Sequence, residues 1–462
     1  MDYRSVSFWL GDAGDDLTPR PALDGSTDAD VAILGAGMTG LWTAFYLRRR
    51  DPSLRIVILE REIAGFGASG RNGAWCAPDL NISMSRLARL HGTDKARAMQ
   101  QATYDAVDEV GRATAEAGID GGFHKGGELI VARGSHGVPS LEGALEEYER
   151  FGFGDRYRLL DAAETADKVR IAGAVRGLFT DSAAVIHPGR FVRGLARHVE
   201  RQEVVIHEKT AVTAFRPRDA SGRATLVTAT GEVHAPAIVL AGEAYLTELP
   251  PLHRQLIPLY SLIVLTEPVT DAQWAEIGWR NRETVASTRL SIDYLSRTED
   301  GQILFGGRGA PYRFGSPIRP DYDRHEPTHE RLRGFVREWF PMLRDIRFTH
   351  AWGGPLGMPR DWHPTMSFDE ATGIATARGY IGHGVSATNL AGRVLTDLLT
   401  GARTPLTELP LVGHRSPGWE IEPFRWLGVR YAQAAVGRID ANAERTGRPP
   451  SGRSLAERLA AH

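Results

Sequence analysis

The sequence predicts a mixed α/β fold: a parallel-sheet domain, a discontinuous antiparallel-sheet domain of α+β type threaded between its pieces, and a helical C-terminal extension. Three observations predict it. A short apolar run, a glycine-rich turn, an amphipathic stretch and a second apolar run follow one another from Asp30. Partly alternating, β-branched runs fill much of residues 96–185 and 251–350. The 462 residues, 42% of them hydrophobic, are enough for two to three domains at roughly 150 residues each.

From Asp30 the chain reads DVAILGAGMTGLWTAFYLRRRDPSLRIVILERE. Val31–Leu34 is a continuous apolar run, which suits a strand buried on both faces of a parallel sheet. Gly35, Gly37 and Gly40 give G-x-G-x-x-G, residues 41–50 read as a helix, and Ile56–Leu59 reads as a second strand ending at Glu60. The order is a Rossmann-like βαβ unit, and that context gives the glycine triplet its meaning. Gly35 permits the tight turn, Gly37 lets backbone approach a diphosphate, and Gly40 lets helix and strand pack closely. The unpaired N–H groups and positive macrodipole at the helix start favour phosphate. Glu60 lies twenty residues beyond Gly40, where an acid accepts hydrogen bonds from ribose hydroxyls and repels a 2′-phosphate. The unit alone leaves FAD and NAD open.

The next segment, GFGASGRNGAW (Gly65 to Trp75), is a glycine- and alanine-rich loop suited to lying close to a flat ligand. It resembles the flavin-covering loop of the glycine oxidase/D-amino acid oxidase (DAO) superfamily, in the branch that includes γ-glutamylputrescine oxidase. A second match, ARGYIGHGVSATNLAGRVLTDLLTG (Ala377 to Gly401), resembles the superfamily's C-terminal flavin-binding segment. Between them, the stretch from His187 to Val212 and AIVLAGEAY (Ala237 to Tyr245) resemble the elements on the adenine side. The resemblance covers most of the chain. It implies an FAD-binding Rossmann-like parallel-sheet domain (27–95, 186–250 and 351–405), an antiparallel-sheet substrate domain (96–185 and 251–350) roofing the flavin, and a C-terminal helical extension (406–462).

The cofactor residues this implies are Gly35, Ala36, Gly37, Met38, Thr39 and Gly40 in the first turn, and Glu60, Arg61, Val212 and Gly242 on the adenosine side. They continue with Gly67, Ala68, Ser69, Gly70, Arg71, Asn72, Gly73 and Ala74 in the covering loop, and with Gly354, Gly382, His383, Gly384, Val385 and Ser386 downstream. The downstream segment also has its own physical reading. Gly379, Gly382 and Gly384 punctuate a turn, Ser386 or Thr388 caps a helix running to Leu399, and Gly401 ends it. Such a helix start stabilises negative charge on a reduced flavin.

Elsewhere, runs at 126–134, 257–268, 287–298 and 301–308 read as strands, with Glu299-Asp300-Gly301 as a hairpin turn. Residues 96–120, 140–152 and 326–345 read as amphipathic helices. Near the C-terminus, Trp419, Phe424, Trp426, Leu427 and Tyr431 are expected to pack a helix against the body.

Lys+Arg 55 and Asp+Glu 57 leave a formal net charge of −2, so no summed field draws in nucleic acid or an anionic membrane. The single cysteine, Cys76, excludes an intrachain disulfide and a Cys-rich metal site. No apolar run reaches the ~18 residues of a spanning helix, and the first two dozen residues carry acids and prolines unlike a signal peptide. The expectation is a cytoplasmic enzyme with no metal, no nucleic-acid partner and no membrane partner.

Flavin takes the hydride, so protein groups need only hold a C–H bond beside it and tune charge. The expected reaction is oxidation of an amine or amino-acid C–N bond to an imine, with O2 as acceptor giving H2O2. The reacting nitrogen must be unprotonated, so the site is expected to exclude water and hold few carboxylates. Candidate pocket residues are Trp75 after the covering loop, His383 in Gly-His-Gly, Tyr260, Tyr294 and Arg308 on roofing strands, and Trp352 in HAWGGPLG. An arginine such as Arg308 matches the two oxygens of a carboxylate. Relatives of sarcosine type attach FAD through a cysteine near this last segment, and dimethylglycine types through a histidine in the covering loop. Here residues 352–358 hold no cysteine, and Arg71 and Asn72 fill the loop, so FAD is expected to be non-covalent. The four lysines, Lys95, Lys125, Lys168 and Lys209, all lie outside 251–352, where several oxidases of the superfamily place an oxygen-activating lysine. A dehydrogenase using a quinone or protein acceptor, a non-catalytic flavin-bound protein and an NAD-dependent dehydrogenase are the competing readings.

Overall fold

The structure, a computed structural model, describes residues 1–452 together with 454 and 457. Residues 453, 455, 456 and 458–462 of the expected C-terminal extension lie outside the described residues. A six-stranded sheet runs in the order Thr365–Asp369, Ile374–Arg378, Ala237–Leu240, Val31–Leu34, Ile56–Leu59, Val205–His207. All its pairings are parallel except that between the first two strands. Alternation explains why the strand at 31–34 reads as uniformly apolar. Val31 and Ile33 enter a core with Leu41, Trp42 and Leu390 from the helices Met38–Arg50 and Gly384–Leu399. Ala32 enters a second core with Leu226 and Val233 of a four-stranded sheet on the opposite face. Each fully buried aliphatic side chain contributes about 1.5–3 kcal/mol, so covering both faces fixes the register of the central strands.

An eight-stranded sheet runs Phe348–Met358, Ile257–Thr266, Ile303–Arg308, Asp293–Arg297, Thr284–Ser287, Glu128–Arg133, Ala174–Thr180, Tyr157–Leu160. It is antiparallel except where Thr284–Ser287 meets Glu128–Arg133. Leu262, Val264, Leu295 and Phe305 pack on one face against Leu332, Val336 and Trp339 of the helix Glu326–Trp339. Ser261, Tyr294 and Glu128 occupy the other. The strand Phe348–Met358 runs straight through the expected boundary at 350/351, because it pairs with Ile257–Thr266 along its length apart from an irregularity at Thr349.

Helices differ from expectation mainly at their ends. The first begins at Met38 rather than Leu41, and the others span 93–116, 138–150 and 326–339. The helix Phe424–Thr446 departs more. Trp419 and Val429 are buried, but Phe424, Leu427 and Tyr431 are 65%, 52% and 52% exposed, so only part of the expected stripe packs on the body.

Candidate active site

Two cavities meet at the junction of the parallel sheet and the eight-stranded sheet. The first, about 500 Å³, runs from Glu60, Arg61 and Val212 past Gly35, Gly37, Met38 and Thr39 to Gly382, Gly384 and Val385. Two helices present their N-termini to it. Met38–Arg50 starts at Gly37 and Gly384–Leu399 starts at His383, neither with a side-chain cap nor with an acid in the first turn. The N–H groups at both starts therefore offer positive potential to whatever fills the cavity. Gly35 holds φ +101°, and a Cβ there would meet the Ala241 carbonyl oxygen at 2.9 Å. A Cβ on Gly40 would meet the Gly35 oxygen at 2.1 Å. Ser69 of the covering loop accepts the Met38 N–H at 2.9 Å, which holds that loop against the turn.

Glu60 lines the same cavity and accepts the Ala36 and Glu62 N–H groups, each at 2.9 Å. Burial raises its pKa. Arg61 stacks 4.8 Å over Tyr245 and pairs with Glu248 at 2.5 Å. Glu243, which no sequence motif marks, lines this cavity too. It accepts the Gly379 N–H at 2.9 Å, and burial pushes its carboxyl up to about 7.

The second cavity, about 530 Å³, opens on the first at Ala68, Asn72, Leu356 and Gly382. Trp75, Tyr294, Arg308 and His383 line it, with Arg71, Gly73 and Gly354. Trp75 Nε1 donates to the Leu295 carbonyl at 3.0 Å, which fixes the indole as wall. Tyr294 and Ser261 share a hydrogen bond of 2.9 Å, and burial pushes the phenol up to about 12. Arg308 Nη2 donates to the Ile381 carbonyl at 2.8 Å. No carboxylate pairs with Arg308 among the described residues, and burial lowers its pKa to about 10. Burial also lowers the pKa of His383, with Asp79 opposing and Arg308 reinforcing the shift, so the imidazole is neutral near pH 7.

Several expected residues lie off both cavities. Tyr260 shares the helix-facing side of its strand with Leu262 and Val264, and its hydroxyl accepts the Arg319 N–H at 3.1 Å. Trp352 is buried and donates through Nε1 to the Arg71 carbonyl at 2.9 Å. Ala36, Gly40, Gly70 and Ala74 shape the turns without lining either space. Ser386 and Thr388 are not caps, because the helix already starts at Gly384. Ser386 Oγ donates to the Ala77 carbonyl at 2.6 Å, and Thr388 Oγ1 to that of Val385 at 3.0 Å. The expectation of few carboxylates also fails: Asp79, Glu128 and Asp293 all line the second cavity. They sit at strand starts or in loops, where no apolar period marked them.

Residues 30–398 match the family described as FAD dependent oxidoreductase, DAO. The chain belongs to this family. Gamma-glutamylputrescine oxidoreductase of Escherichia coli (strain K12) is 27% identical over 439 residues, 93% of this chain and 98% of the relative. D-amino acid dehydrogenase of Methylobacterium nodulans is 27% identical, covering 83% of this chain and 98% of its own. Glycine oxidase from Geobacillus kaustophilus superposes with TM-score 0.68 at 20% identity, over 84% of this chain and 99% of that one. L-proline dehydrogenase from P. horikoshii gives 0.67 at 18%, over 84% and 96%. Those two likenesses are of the fold. This DAO-family chain is an FAD-dependent oxidoreductase, and the first cavity fits FAD: two uncapped helix starts and side-chain-free turns for the diphosphate, an acid at one end, and an opening to a second cavity at the other. Among the described residues no helix is long and apolar enough to cross a membrane, and no group of three or more His, Cys, Asp or Glu is placed to hold a metal.

Proposed function

We propose that the enzyme oxidises a C–N bond of an amine or amino acid to an imine, which water then hydrolyses, and that O2 reoxidises the flavin to give H2O2. The observation that carries this reading is the junction of the two cavities, with Arg308, a guanidinium that no carboxylate among the described residues neutralises, on the wall of the second. The similarity to γ-glutamylputrescine oxidoreductase and D-amino acid dehydrogenase supports it.

Bound FAD supplies the hydride acceptor. The chain's residues do the rest. Glu60, Val212 and the start of Met38–Arg50 hold the adenosine and diphosphate, and the start of Gly384–Leu399 supplies positive potential at the other end of the cavity. Arg308 takes a substrate carboxylate in its remaining N–H groups. Its positive charge, with burial, also favours the neutral form of a nearby amine. Neutral His383 stands ready to accept a proton. Cys76 is buried in the short ladder with Ala184 and lines neither cavity, which supports non-covalent FAD.

The test is an anaerobic amine and amino-acid screen of the purified protein. Bleaching of the visible flavin band that air reverses, with H2O2 formed, supports the reading. Recovery only with a quinone or protein acceptor would make the enzyme a dehydrogenase, a reading favoured by the absence of lysine between 251 and 352. Failure of every amine to bleach the band would leave a non-catalytic flavin protein.

A further inference from the structure

The second cavity contains a carboxyl pair for which amine oxidation itself has no use. In the strand Glu128–Arg133, Leu129 and Val131 enter the core beneath the sheet, so Glu128 and Ile130 face the cavity. Glu128 is 5% exposed. Asp79, just beyond the covering loop, lines the same cavity, near enough for its charge to act on Glu128. Among the described residues neither side chain receives an N–H donor or pairs with a lysine or arginine. Asp293 differs, since Ser287 satisfies it through its N–H at 2.9 Å and its hydroxyl at 2.8 Å.

Two adjacent carboxyls, Glu128 buried and Asp79 half-buried on the cavity wall, do not both ionise readily, so they share a proton and carry one negative charge between them. Burial raises both groups, and Asp79's charge raises Glu128 further. Such a pair stabilises a fold less than apolar side chains of the same volume would, so stability does not account for it. A cation arriving from outside does. The neighbours suit an organic one: Ile130, Leu141 and Ala144 add an apolar flank for methylenes. An independent feature of the same cavity also points to a ligand. Among the described residues no carboxylate neutralises Arg308, which donates to the Ile381 carbonyl and lies over the Trp362 ring, and His383 lies in the fields of both Asp79 and Arg308. The cavity is therefore polar along its length, acidic beyond His383 on one side and basic on the other.

Resting on the amine-oxidase reading, we propose that Asp79 and Glu128 bind a second, non-reacting ammonium of the substrate, and that the enzyme acts on compounds with two cationic nitrogens. Anchoring one nitrogen as ammonium at the acid pair leaves the other beside neutral His383 and cationic Arg308, where its neutral form is favoured. The pair thus decides which nitrogen is oxidised.

The experiment compares anaerobic flavin-reduction rates of the holoenzyme for substrates differing only in the distal nitrogen: 1,5-diaminopentane against pentylamine, and lysine against norleucine. Charge-assisted hydrogen bonds to this pair give an expected preference for the dicationic member of about 10- to 100-fold in second-order rate. The double variant Asp79→Asn/Glu128→Gln, which removes the negative charge, should bring that ratio close to one while the protein still carries FAD, whereas Glu128→Gln alone leaves the charge on Asp79 and should keep most of the preference. Equal wild-type rates within a pair would overturn the inference and leave the amine-oxidase reading standing. So would variants that slow both members alike, and the wild-type comparison needs no variant to fold. Absence of bleaching with every amine would strike the proposed reaction itself, and this inference with it.

Discussion

Thr39 Oγ1 and Tyr380 Oη lie 3.0 Å apart although 341 positions separate them in the chain. Both residues line the FAD cavity. The contact joins the first glycine-rich turn to the downstream one, so the two helix starts face one space. Asn81 reinforces it by donating to the Tyr380 and Ile381 carbonyls at 3.1 and 3.3 Å.

Replacing Tyr380 with Phe removes that bond without changing the ring. A buried neutral hydrogen bond is worth about 1 kcal/mol, so FAD should bind roughly five- to tenfold more weakly. Fluorescence titration of apoprotein with FAD measures this. An unchanged dissociation constant would show that the contact does not organise the cavity.

Glu60→Gln keeps the shape but turns one acceptor oxygen into an NH2 that opposes the Ala36 or Glu62 N–H. Leaving a buried donor unpaired costs about 1–3 kcal/mol. The variant should lose FAD during gel filtration, read as a fall in visible absorbance per protein. Full retention would count against Glu60 as the ribose acceptor.

Arg308→Lys replaces a planar fork with a point charge. The Michaelis constant for carboxylate-bearing substrates should rise about tenfold or more, from the loss of one charge-assisted bond of about 1.5–3 kcal/mol. Neutral-tailed amines should change little. An equal loss for both would assign Arg308 to holding the Ile381 carbonyl.

Glu243 predicts a pH effect on apoprotein stability. Its folded pKa is raised to about 7 from 4.5, chiefly by burial, with the Gly379 N–H pulling the other way. A raised acid favours the fold below the unfolded value, and that advantage is lost as pH rises through about 7. The loss amounts to about 3 kcal/mol at most. Thermal unfolding from pH 4.5 to 7.5 should show wild type losing stability relative to Glu243→Gln. Parallel curves would show that Glu243 does not titrate in this range.

What could be read from the sequence follows from where the constraint is local. Gly35, Gly37 and Gly40 satisfy backbone demands made within a few residues, so the βαβ turn and the covering loop were visible as patterns. The substrate wall was not, because Asp79, Glu128, Ser261 and Arg308 come from four separate segments that meet only in the folded chain. Tyr260 shows how narrow the margin was. In a strand, neighbours face opposite sides, so its adjacent residue Ser261 reaches the cavity while Tyr260 packs beneath the helix. Ser386 and Thr388 look like caps because capping residues cluster at helix starts, but His383 already ends the turn and places them inside the helix. The exposed Phe424, Leu427 and Tyr431 carried no signal to separate them from core aromatics.

FAD stoichiometry tests the cofactor site most directly. Heat-denatured, centrifuged protein should release close to one FAD per chain into the supernatant and leave a colourless pellet. Colourless native protein that takes up no added FAD, or a pellet that stays yellow, would contradict it.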